Sequence, residues 1–380
     1  MRVPRGFRSA LVTAAAAAAV ATAAIPASAG TARPAGPPGA SNAVFVQTDN
    51  TAGNHVVAYH RAANGTLTAA RSYATGGRGG ILAGSVVDHT ASQGSLAYDP
   101  AHALLYAVNA GSNTISVFSV RGDRLRRREV LGSGGTFPVS VAVHGDLVYV
   151  LNALEGGSVQ GFKVLGSFLA PLPGSRRALG LDPGETPQFT STPGQVAFTP
   201  DGSQLVVTTK NNGNDIDVFG VGFGGRLSVR PVVNSEAGTV PFAISFDQSG
   251  HLVIAEAGTN ALATFDLSAH GTVRLLNETG TGQAATCWVT PAGPYLYASN
   301  AGSANVSGFI SSSGGALTLL GSTGTDAGTV DAAAAAGFLY VQTGGNGIVD
   351  EFAVGTGGSL TKIGSVTVPG AAGGEGIVAS

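Results

Sequence analysis

The chain alternates short apolar runs with turns rich in glycine, asparagine and serine, and this pattern recurs along most of its length. Each unit has two apolar strands joined by a short turn, then a Gly/Asn loop and a third strand that ends in an aromatic residue. A fourth, more polar strand and a glycine-rich linker complete the unit. Apolar runs of this length between turn signals are typical of β-strands. The third strands end at Tyr59, Phe118, Phe162, Phe219, Phe265, Phe309 and Phe352.

The spacing of these aromatic residues predicts a β-propeller. Successive residues of the series lie 59, 44, 57, 46, 44 and 43 positions apart, and a four-stranded propeller blade needs about 40–50 residues. The two longest intervals contain additional linkers, residues 76–94 and 174–193. Seven third strands therefore predict an all-β, seven-bladed β-propeller with four-stranded antiparallel blades over residues 43–380.

The two ends of the repeat predict how the ring closes. No innermost strand precedes the apolar run AVFVQT in the first unit, whereas the last unit is followed by GIVAS, which is similar to the innermost strands QVAF and SVAV. We expect Ile377–Ser380 to supply the missing strand of the first blade. Such closure by the C-terminal strand would leave no open sheet edge to aggregate.

The N-terminal segment has the pattern of a secretory signal peptide. Three arginines precede an apolar, alanine-rich run over residues 11–25, and an Ala-Ser-Ala cleavage signal follows at 27–29. We expect a signal peptide over residues 1–29, a flexible Pro/Gly-rich leader over 30–42, and a secreted, extracellular protein. The apolar run is too short to span a membrane comfortably, so membrane insertion is not expected.

Composition and charge exclude several classes of protein. Charged residues make up 11% of the chain and the formal net charge is −2, which disfavours intrinsic disorder and nucleic-acid binding. The single cysteine, Cys287, rules out an intramolecular disulfide. The seven histidines do not form a metal-ligand pattern, and neither a nucleophile elbow nor a phosphate-binding glycine loop is present. We therefore expect no cofactor and no metal.

Two further features of the sequence have candidate roles. The arginines at 121, 124, 126, 127 and 128 fall between the third and fourth strands of the second blade, on its outer rim. They either protect the sheet edge as solvated charges or form a docking patch for an acidic partner or a polyanionic polymer. On the sixth inner strand, alignment of the units matches Cys287 with Leu96 and predicts that Trp288 fills space beside the alanines at 332–336.

Several strand pairs resemble those of a known family. The segments PVSVAVHGDLVYVLN, EGGSVQGF and VAFTPDGSQLVV are similar to the seven-bladed lactonase-type propellers, which include 6-phosphogluconolactonase-like and carboxymuconate-cyclase-like proteins. The resemblance covers roughly residues 43–380. It implies the propeller fold and a catalytic group of His, Arg, Asp and Glu side chains on one face of the ring.

The chain departs from the family at most of those catalytic positions. The Pro-His element before the fourth inner strand is replaced by Pro193, Gly194 and Gln195. The Pro-Arg-His element of the fifth blade is replaced by PFA at 241–243. Of the family's acidic groups, the Glu that ends the fifth blade's second strand is retained as Glu256. A carboxylate without His and Arg partners has neither acid–base pairing nor oxyanion stabilisation, so we assign no catalytic residue.

Polar residues should gather on one face of the ring, around the mouth of the central channel. The loops between second and third strands share this face, which we call the upper face, with the linkers into the inner strands. Amides and hydroxyls suit hydrogen bonding to sugar hydroxyls or peptide backbone, although tight turns also favour Asn and Gly. The predicted ligand-binding residues are Lys210, Asn211, Asn212, Glu256 and Asn300, flanked by His89 and Gln195.

Two functions follow as hypotheses. The first is a secreted, non-catalytic propeller that recognises a carbohydrate, a cell-surface ligand or a secreted partner protein through its upper face. It would serve as the targeting, lectin-like or scaffold component of an extracellular, toxin-type assembly. The second is a secreted lactonase or carboxymuconate-cyclase-like enzyme with a rearranged site that uses Glu256, Lys210 and Asp215. Convergence of His, Arg and carboxylate side chains at the channel mouth would separate the two.

Overall fold

The computed structural model describes residues 42–380, which form a ring of seven antiparallel sheets. The predicted signal peptide and residues 30–41 of the predicted leader lie outside the described residues. Strands of the first three blades are β1 (Ala43–Gln47), β2 (His55–Arg61) and β3 (Leu67–Ala74); β4 (Leu96–Asp99), β5 (Leu104–Asn109), β6 (Thr114–Arg121) and β7 (Arg124–Gly132); and β8 (Pro138–His144), β9 (Leu147–Asn152), β10 (Ser158–Leu165), β11 (Phe168–Pro171) and β12 (Arg177–Ala178).

The remaining blades follow the same order from the channel outwards. Their strands are β13 (Val196–Phe198), β14 (Gln204–Thr208), β15 (Asp215–Gly220) and β16 (Val232–Ser235); β17 (Pro241–Phe246), β18 (Leu252–Glu256), β19 (Ala261–Leu267) and β20 (Val273–Gly280); β21 (Thr286–Ala292), β22 (Tyr295–Asn300), β23 (Asn305–Ser311) and β24 (Leu317–Gly324); β25 (Thr329–Ala335), β26 (Phe338–Thr343), β27 (Ile348–Val354) and β28 (Leu360–Thr367); and β29 (Ile377–Ala379).

The C-terminal strand closes the ring as the sequence predicted. The first blade has the strand order β29-β1-β2-β3, in which Ile377 pairs with Val46 and Ala379 pairs with Val44. The backbone amide of Gln47 donates to the carbonyl of Gly376 at 2.8 Å, which extends the ladder beyond the strand. The seven-bladed, four-stranded architecture is therefore confirmed.

The outer edge of the third blade differs from the simple four-stranded pattern. Two short strands, β11 and β12, both pair with β10, and a turn over residues 172–175 separates them. Pro173 lies in that turn and cannot donate to a ladder, which explains why one continuous outer strand does not form. The hydroxyl of Ser175 accepts from the amide of Gly161 at 3.0 Å and so holds the turn against β10.

The hydrophobic core lies between neighbouring blades. All seven aromatic residues that end the third strands are buried, and their clusters combine residues of adjacent sheets. Second-strand tyrosines add hydrogen bonds across the same interfaces: the hydroxyls of Tyr149, Tyr297 and Tyr340 donate to carbonyls in the next blade's third-to-fourth-strand turn at 2.7–2.9 Å. The aromatic period of the sequence thus marks the contacts that hold the ring together.

Helical structure is minor in the described residues. It consists of one four-residue helix, α1 (Gln188–Ser191), and three short 3-10 turns at Ala110–Ser112, Phe223–Gly225 and Thr356–Gly358. None of these segments is long or apolar enough to cross a membrane. The helix α1 belongs to the linker over residues 174–193, which, with the linker over 76–94, provides the long irregular segments of the upper face.

Candidate functional site

The linker over residues 76–94, which we call the first linker, crosses the mouth of the central channel. It connects the first and second blades, yet the indole Nε1 of Trp288 on the sixth blade donates to the carbonyl of Ser92 at 2.7 Å. The hydroxyl of Ser92 in turn donates to the carbonyl of Val139 on the third blade at 2.9 Å. A segment that contacts these distant blades must span the mouth, so the linker closes the channel on the upper face.

Further bonds fix the linker across the opening. The side-chain amide of Gln93 donates to the carbonyl of Val289 and accepts from its backbone amide, at 2.9 and 3.0 Å. The backbone amide of His89 donates to the carbonyl of Gly373 at 2.8 Å. A Cβ at Gly373 would lie 2.0 Å from the His89 ring, so only glycine permits this close approach.

Asp88 organises the turn at the centre of the first linker. Its carboxylate accepts hydrogen bonds from the backbone amides of Thr90, Ala91 and Ser92 and from the Thr90 hydroxyl, at 2.8–2.9 Å. Such side-chain-to-backbone bonding is typical of Asp in tight turns. Burial raises the pKa of Asp88 to about 6.

Lys210 joins the first linker to the second linker, residues 174–193. Its Nζ donates to the carbonyl oxygens of Ala91 and Phe189, both at 2.7 Å, and to the hydroxyl of Thr192 at 3.2 Å. The ammonium group also lies 5.2 Å from the centre of the Phe242 ring. The side chain is 1% exposed, and burial lowers its pKa to about 7. Lys210 is therefore a clamp between the two long linkers.

Replacing Lys210 by methionine should loosen both linkers. The variant loses hydrogen bonds from a charged donor and leaves buried carbonyl oxygens without partners, so we expect a loss of about 3 kcal/mol in the free energy of unfolding. Limited proteolysis should cleave within 76–94 or 174–193 more rapidly than in the native protein. Lys163→Met, at an exposed position of β10, is the matched control and should leave both measurements unchanged. Equal behaviour of the two variants would contradict the clamp.

Three buried carboxyl groups lie beneath the first linker. Glu375 accepts from the backbone amide of Gly94 at 2.8 Å, and Asp49 accepts from the backbone amide of Glu375 at 2.9 Å. Asp331 accepts from the backbone amide of Ala332 at 2.9 Å. Burial raises the pKa of Asp49 and of Asp331 to about 7, and burial with repulsion from Asp331 raises that of Glu375 well above its usual range. These three groups therefore retain their protons to a higher pH than ordinary carboxyl groups do.

The described residues contain no group of three or more His, Cys, Asp or Glu side chains arranged to hold a metal ion. The carboxyl groups are instead bonded to the chain itself. The Glu375 carboxyl group accepts from the backbone amide of Ser95, next to β4, and Asp331 accepts from that of Ile377 in β29. Asp49 accepts from the side-chain amide of Gln47 at 2.6 Å. Their contacts tie the closing strand and the first linker together.

Two of the predicted amide ligands make side-chain hydrogen bonds within the protein. Asn300 is 0% exposed; its amide accepts from Thr286 and donates to Asn305 and Ser307 at 2.6–2.9 Å. Gln195 accepts from the backbone amide of Ile244 at 2.5 Å and so joins two neighbouring inner strands. Asn300 therefore joins strands of its own blade and uses both ends of its amide, whereas Gln195 joins two blades through its side-chain oxygen.

The other predicted ligands make separate contacts, and no hydrogen bond joins Glu256 to Asn211 or Asn212 within residues 42–380. Asn211 is exposed, and Asn212 donates to the carbonyls of Asp182 and Ser191, which pins the second linker. Glu256 is 2% exposed with the Thr259 hydroxyl as its partner at 3.3 Å. Burial and the nearby Glu278 and Glu236 raise the pKa of Glu256 to about 8.

His89 is half-buried, and burial lowers the pKa of its ring. The close pairs of histidine with a carboxylate in residues 42–380 are in lower-face turns: His102 with Asp99 at 2.7 Å and with Asp146 at 3.3 Å, and His251 with Asp247 at 2.8 Å. No His, Arg and carboxylate group converges at the closed mouth among the described residues.

An apolar pocket opens beside the first linker on the upper face. Its volume is about 150 Å³, and Lys210 is the predicted ligand-binding residue that lines it. Trp288 is 4% exposed and packs edge-on against Phe242, with the ring centres 5.1 Å apart. The apolar walls are formed chiefly by Val86, Val87, Phe242, Cys287, Trp288 and Ala301.

Sequence reasoning missed this pocket because it misaligned the sixth inner strand. The register of β21 shifts between Thr286 and Trp288, so Cys287 is an extra, bulged residue and Trp288 pairs with Ser299. The Trp288 ring turns towards Phe242 and the first linker, and does not join the clusters that contain the alanines at 332 and 333. The expected position of Trp288 was therefore wrong, and its ring instead lines the pocket beside the first linker.

Comparison with known proteins agrees with this architecture. A family model described as a seven-bladed β-propeller lactonase matches residues 84–372, and no curated protein matches significantly. A candidate 6-phosphogluconolactonase from Bacteroides uniformis is similar with a TM-score of 0.72 and 18% identity, over 88% of this chain and 98% of that one. The periplasmic gluconolactonase of Pseudomonas aeruginosa is similar with a TM-score of 0.68 and 16% identity, over 88% and 98%. Virginiamycin B lyase from Staphylococcus aureus is similar with a TM-score of 0.53 and 13% identity, over 75% of this chain and 87% of that one.

At such identities the solved structures support the fold alone. The family match, in contrast, is made by the sequence itself and spans well over half of the chain. The chain therefore belongs to the lactonase family of seven-bladed β-propellers.

Proposed function

We propose that this member of the family is a secreted binding propeller without lactonase activity, and that its upper face holds a compact apolar group of a ligand or partner protein. The observation that carries the proposal is the first linker: it closes the channel mouth and leaves an apolar pocket at its side. Secretion rests on the signal-peptide pattern of residues 1–29.

The groups at the mouth are poorly suited to open a lactone. Such a reaction needs a positioned general base or nucleophile and donors for the developing oxyanion. The Lys210 ammonium group donates to three protein acceptors, and the Asp88 carboxylate accepts from four protein donors. Burial raises the pKa of Glu256, and the carboxylates Glu278 and Glu236, with no basic partner, raise it further. The rearranged site with Glu256, Lys210 and Asp215 therefore lacks a mutual contact to activate it.

The pocket suits a ring or a branched apolar side chain. Its volume of about 150 Å³ is close to that of an engineered apolar cavity, roughly 150 Å³, that binds benzene. Val86 is 82% exposed at the rim, so a bound group would also cover apolar surface that now faces solvent. Recognition through apolar contact replaces the amide-based recognition expected from the sequence, since the Asn300 amide and the Gln195 side-chain oxygen are already bonded.

Trp288 provides a direct test because it is the one tryptophan of the chain. Phenyl β-glucoside should change its fluorescence saturably, whereas methyl β-glucoside, which has the same sugar and no ring, should not. Ala301→Leu fills the pocket and should weaken the binding of phenyl β-glucoside at least about tenfold. Ala101→Leu, at an exposed lower-face position, is the matched control and should bind as the native protein does.

The same samples decide between binding and catalysis. Glucono-δ-lactone and its 6-phosphate should hydrolyse at the rate in buffer alone. Hydrolysis above that rate that disappears in Glu256→Gln would establish the enzyme and overturn the proposal. Identical fluorescence responses to both glucosides, or no effect of Ala301→Leu, would remove the pocket as the binding site.

A further inference from the structure

The outer rim of the first two blades carries a concentration of arginine. Residues 67–74 and 114–132, which contain β3, β6 and β7, hold six arginines and two acidic residues, Asp123 and Glu129. Residues 42–380 as a whole have the opposite charge balance. Without the four arginines before residue 42, they contain 16 basic and 22 acidic residues. The rim is therefore a local positive region on a negatively charged protein.

Two of the six arginines hold neighbouring blades together. Arg127 donates to the carbonyl of Ala74 on the first blade at 2.9 Å. Arg128 donates to the hydroxyl of Ser167 on the third blade at 2.9 Å and lies 5.4 Å from the centre of the Phe168 ring. These contacts account for their positions in the fold without any partner.

The other four arginines have no such role. Arg71, Arg121, Arg124 and Arg126 are exposed, and their guanidinium groups form no hydrogen bond or ion pair within residues 42–380. Keeping unpaired like charges side by side disfavours the fold slightly, since each repels its neighbours. A surface that needed only edge protection would gain as much from alternating charges, so the arrangement points to an anionic partner.

A groove brings two of the unpaired arginines together. Arg71 and Tyr73 on β3 lie opposite Arg124 across the gap between the outer strands of the two blades, with Asp123 at one end. The groove has a volume of about 630 Å³ and is lined mainly by polar atoms. Asp123 is turned towards His60, whose Nδ1 lies 3.9 Å from its carboxylate. Tyr73 also lines the groove, and its side chain packs partly against the core of the first two blades.

We infer that this groove and the adjoining arginines bind an acidic polysaccharide. Guanidinium groups bind carboxylates or phosphates through paired hydrogen bonds, and a tyrosine ring can lie against the face of a sugar. A polysaccharide with one charge per sugar matches a short positive region. Duplex nucleic acid, which carries one charge per roughly 1.7 Å, would extend past the rim onto the acidic remainder of the protein.

The test compares polymers on the full chain. Polygalacturonate, which carries carboxylates, and a phosphomannan, which carries phosphates, distinguish the two kinds of anionic group, and dextran is the neutral control. We expect at least one anionic polymer to bind with an affinity that falls as salt increases, and dextran not to bind. Tighter binding of duplex DNA or of polyglutamate than of both anionic polymers would overturn the inference.

A matched pair of variants locates the binding surface. Arg71→Gln combined with Arg124→Gln should lower the affinity for the anionic polymer at least about tenfold, because two paired contacts are lost. Arg226→Gln combined with Arg230→Gln removes the same charge from exposed positions beside the fourth blade and should change the affinity less than about twofold. Equal losses in the two double variants would show general attraction and overturn the assignment to this groove.

Discussion

Removal of residues 377–380 is expected to lower the thermal midpoint of unfolding by at least about 10 °C. The deletion removes β29, exposes the inner edge of β1 and takes away a buried Ile377 side chain. Burial of such a side chain contributes about 1.5–3 kcal/mol, and each ladder hydrogen bond about 1 kcal/mol. Arg61, which is 7% exposed, also loses its bond to the Ser380 carbonyl at 2.8 Å. Differential scanning calorimetry of the truncated and full chains measures the difference.

Point variants separate ring closure from a simple loss of length. Ile377→Asp places a charge in the cluster that contains Val46 and Val349 and should reproduce much of the effect of the deletion. Val378 on the same strand is only partly buried, so Val378→Thr should lower the midpoint by a few degrees at most. A truncated protein that unfolds within about 2 °C of the full chain would contradict closure by β29.

The ring could be predicted from sequence because its main contacts recur at a fixed period. Phe118, Phe219 and Phe309 occupy equivalent positions in their blades, and each is buried between its own blade and a neighbour. One interface therefore repeats, and its residue types recur with it. The closing strand was predictable for the same reason, since GIVAS is similar to the other innermost strands and could be assigned by elimination.

The candidate site could not be predicted in the same way, because its contacts do not recur. The Lys210 ammonium group bonds to Ala91, which lies 119 residues away in sequence, and Trp288 bonds to Ser92 across 196 residues. No local pattern records such contacts. The sequence identified both long linkers and placed them on the upper face, but their path over the channel mouth depends on tertiary packing.

The amide residues show a second limit of sequence reasoning. By residue type and loop position, Asn300 cannot be told from an asparagine that is exposed and binds a ligand. Its internal role is determined by the neighbouring hydroxyls of Thr286 and Ser307, to which its side chain is bonded. The bulge at Cys287 also leaves no signal in the sequence. One inserted residue does not change the hydrophobic character of β21, but it turns Trp288 to a new direction.

Stability should fall by the equivalent of roughly 10 °C in thermal midpoint as the pH rises from 5 to 8. Burial raises the pKa of Asp49, Asp331 and Asp217 to about 7, that of Asp88 to about 6 and that of Glu256 to about 8. In the unfolded chain the same groups titrate near their ordinary values of about 4. Thermal scans of the full chain in buffers of constant ionic strength test this.

The direction follows from proton counts in the two states. Between about pH 4 and 7 the folded protein retains protons on these carboxyl groups that the unfolded chain has released, so the free energy of unfolding decreases as pH increases. Their contribution is fully present below about pH 4, falls as the pH rises, and is lost once the pH has passed through their folded-state pKa values of about 6–8. Lys210 acts oppositely: burial lowers its pKa to about 7 from 10.5, so stability recovers somewhat above pH 7. One such group offsets only part of the loss from the carboxyl groups.

Asp331→Asn tests whether the buried carboxyl groups cause this dependence. The amide keeps the shape and an acceptor for the Ala332 amide but cannot ionise, so the variant should lose less stability than the native protein between pH 5 and 8. Asp266→Asn is the control, since Asp266 is exposed and its ion pair with Arg274, at 3.0 Å, contributes little. Its pH dependence should match that of the native protein. A midpoint that stays constant or rises from pH 5 to 8 in the native chain would show that the carboxyl groups beneath the first linker are ionised in the fold, and that water or a cation reaches them there.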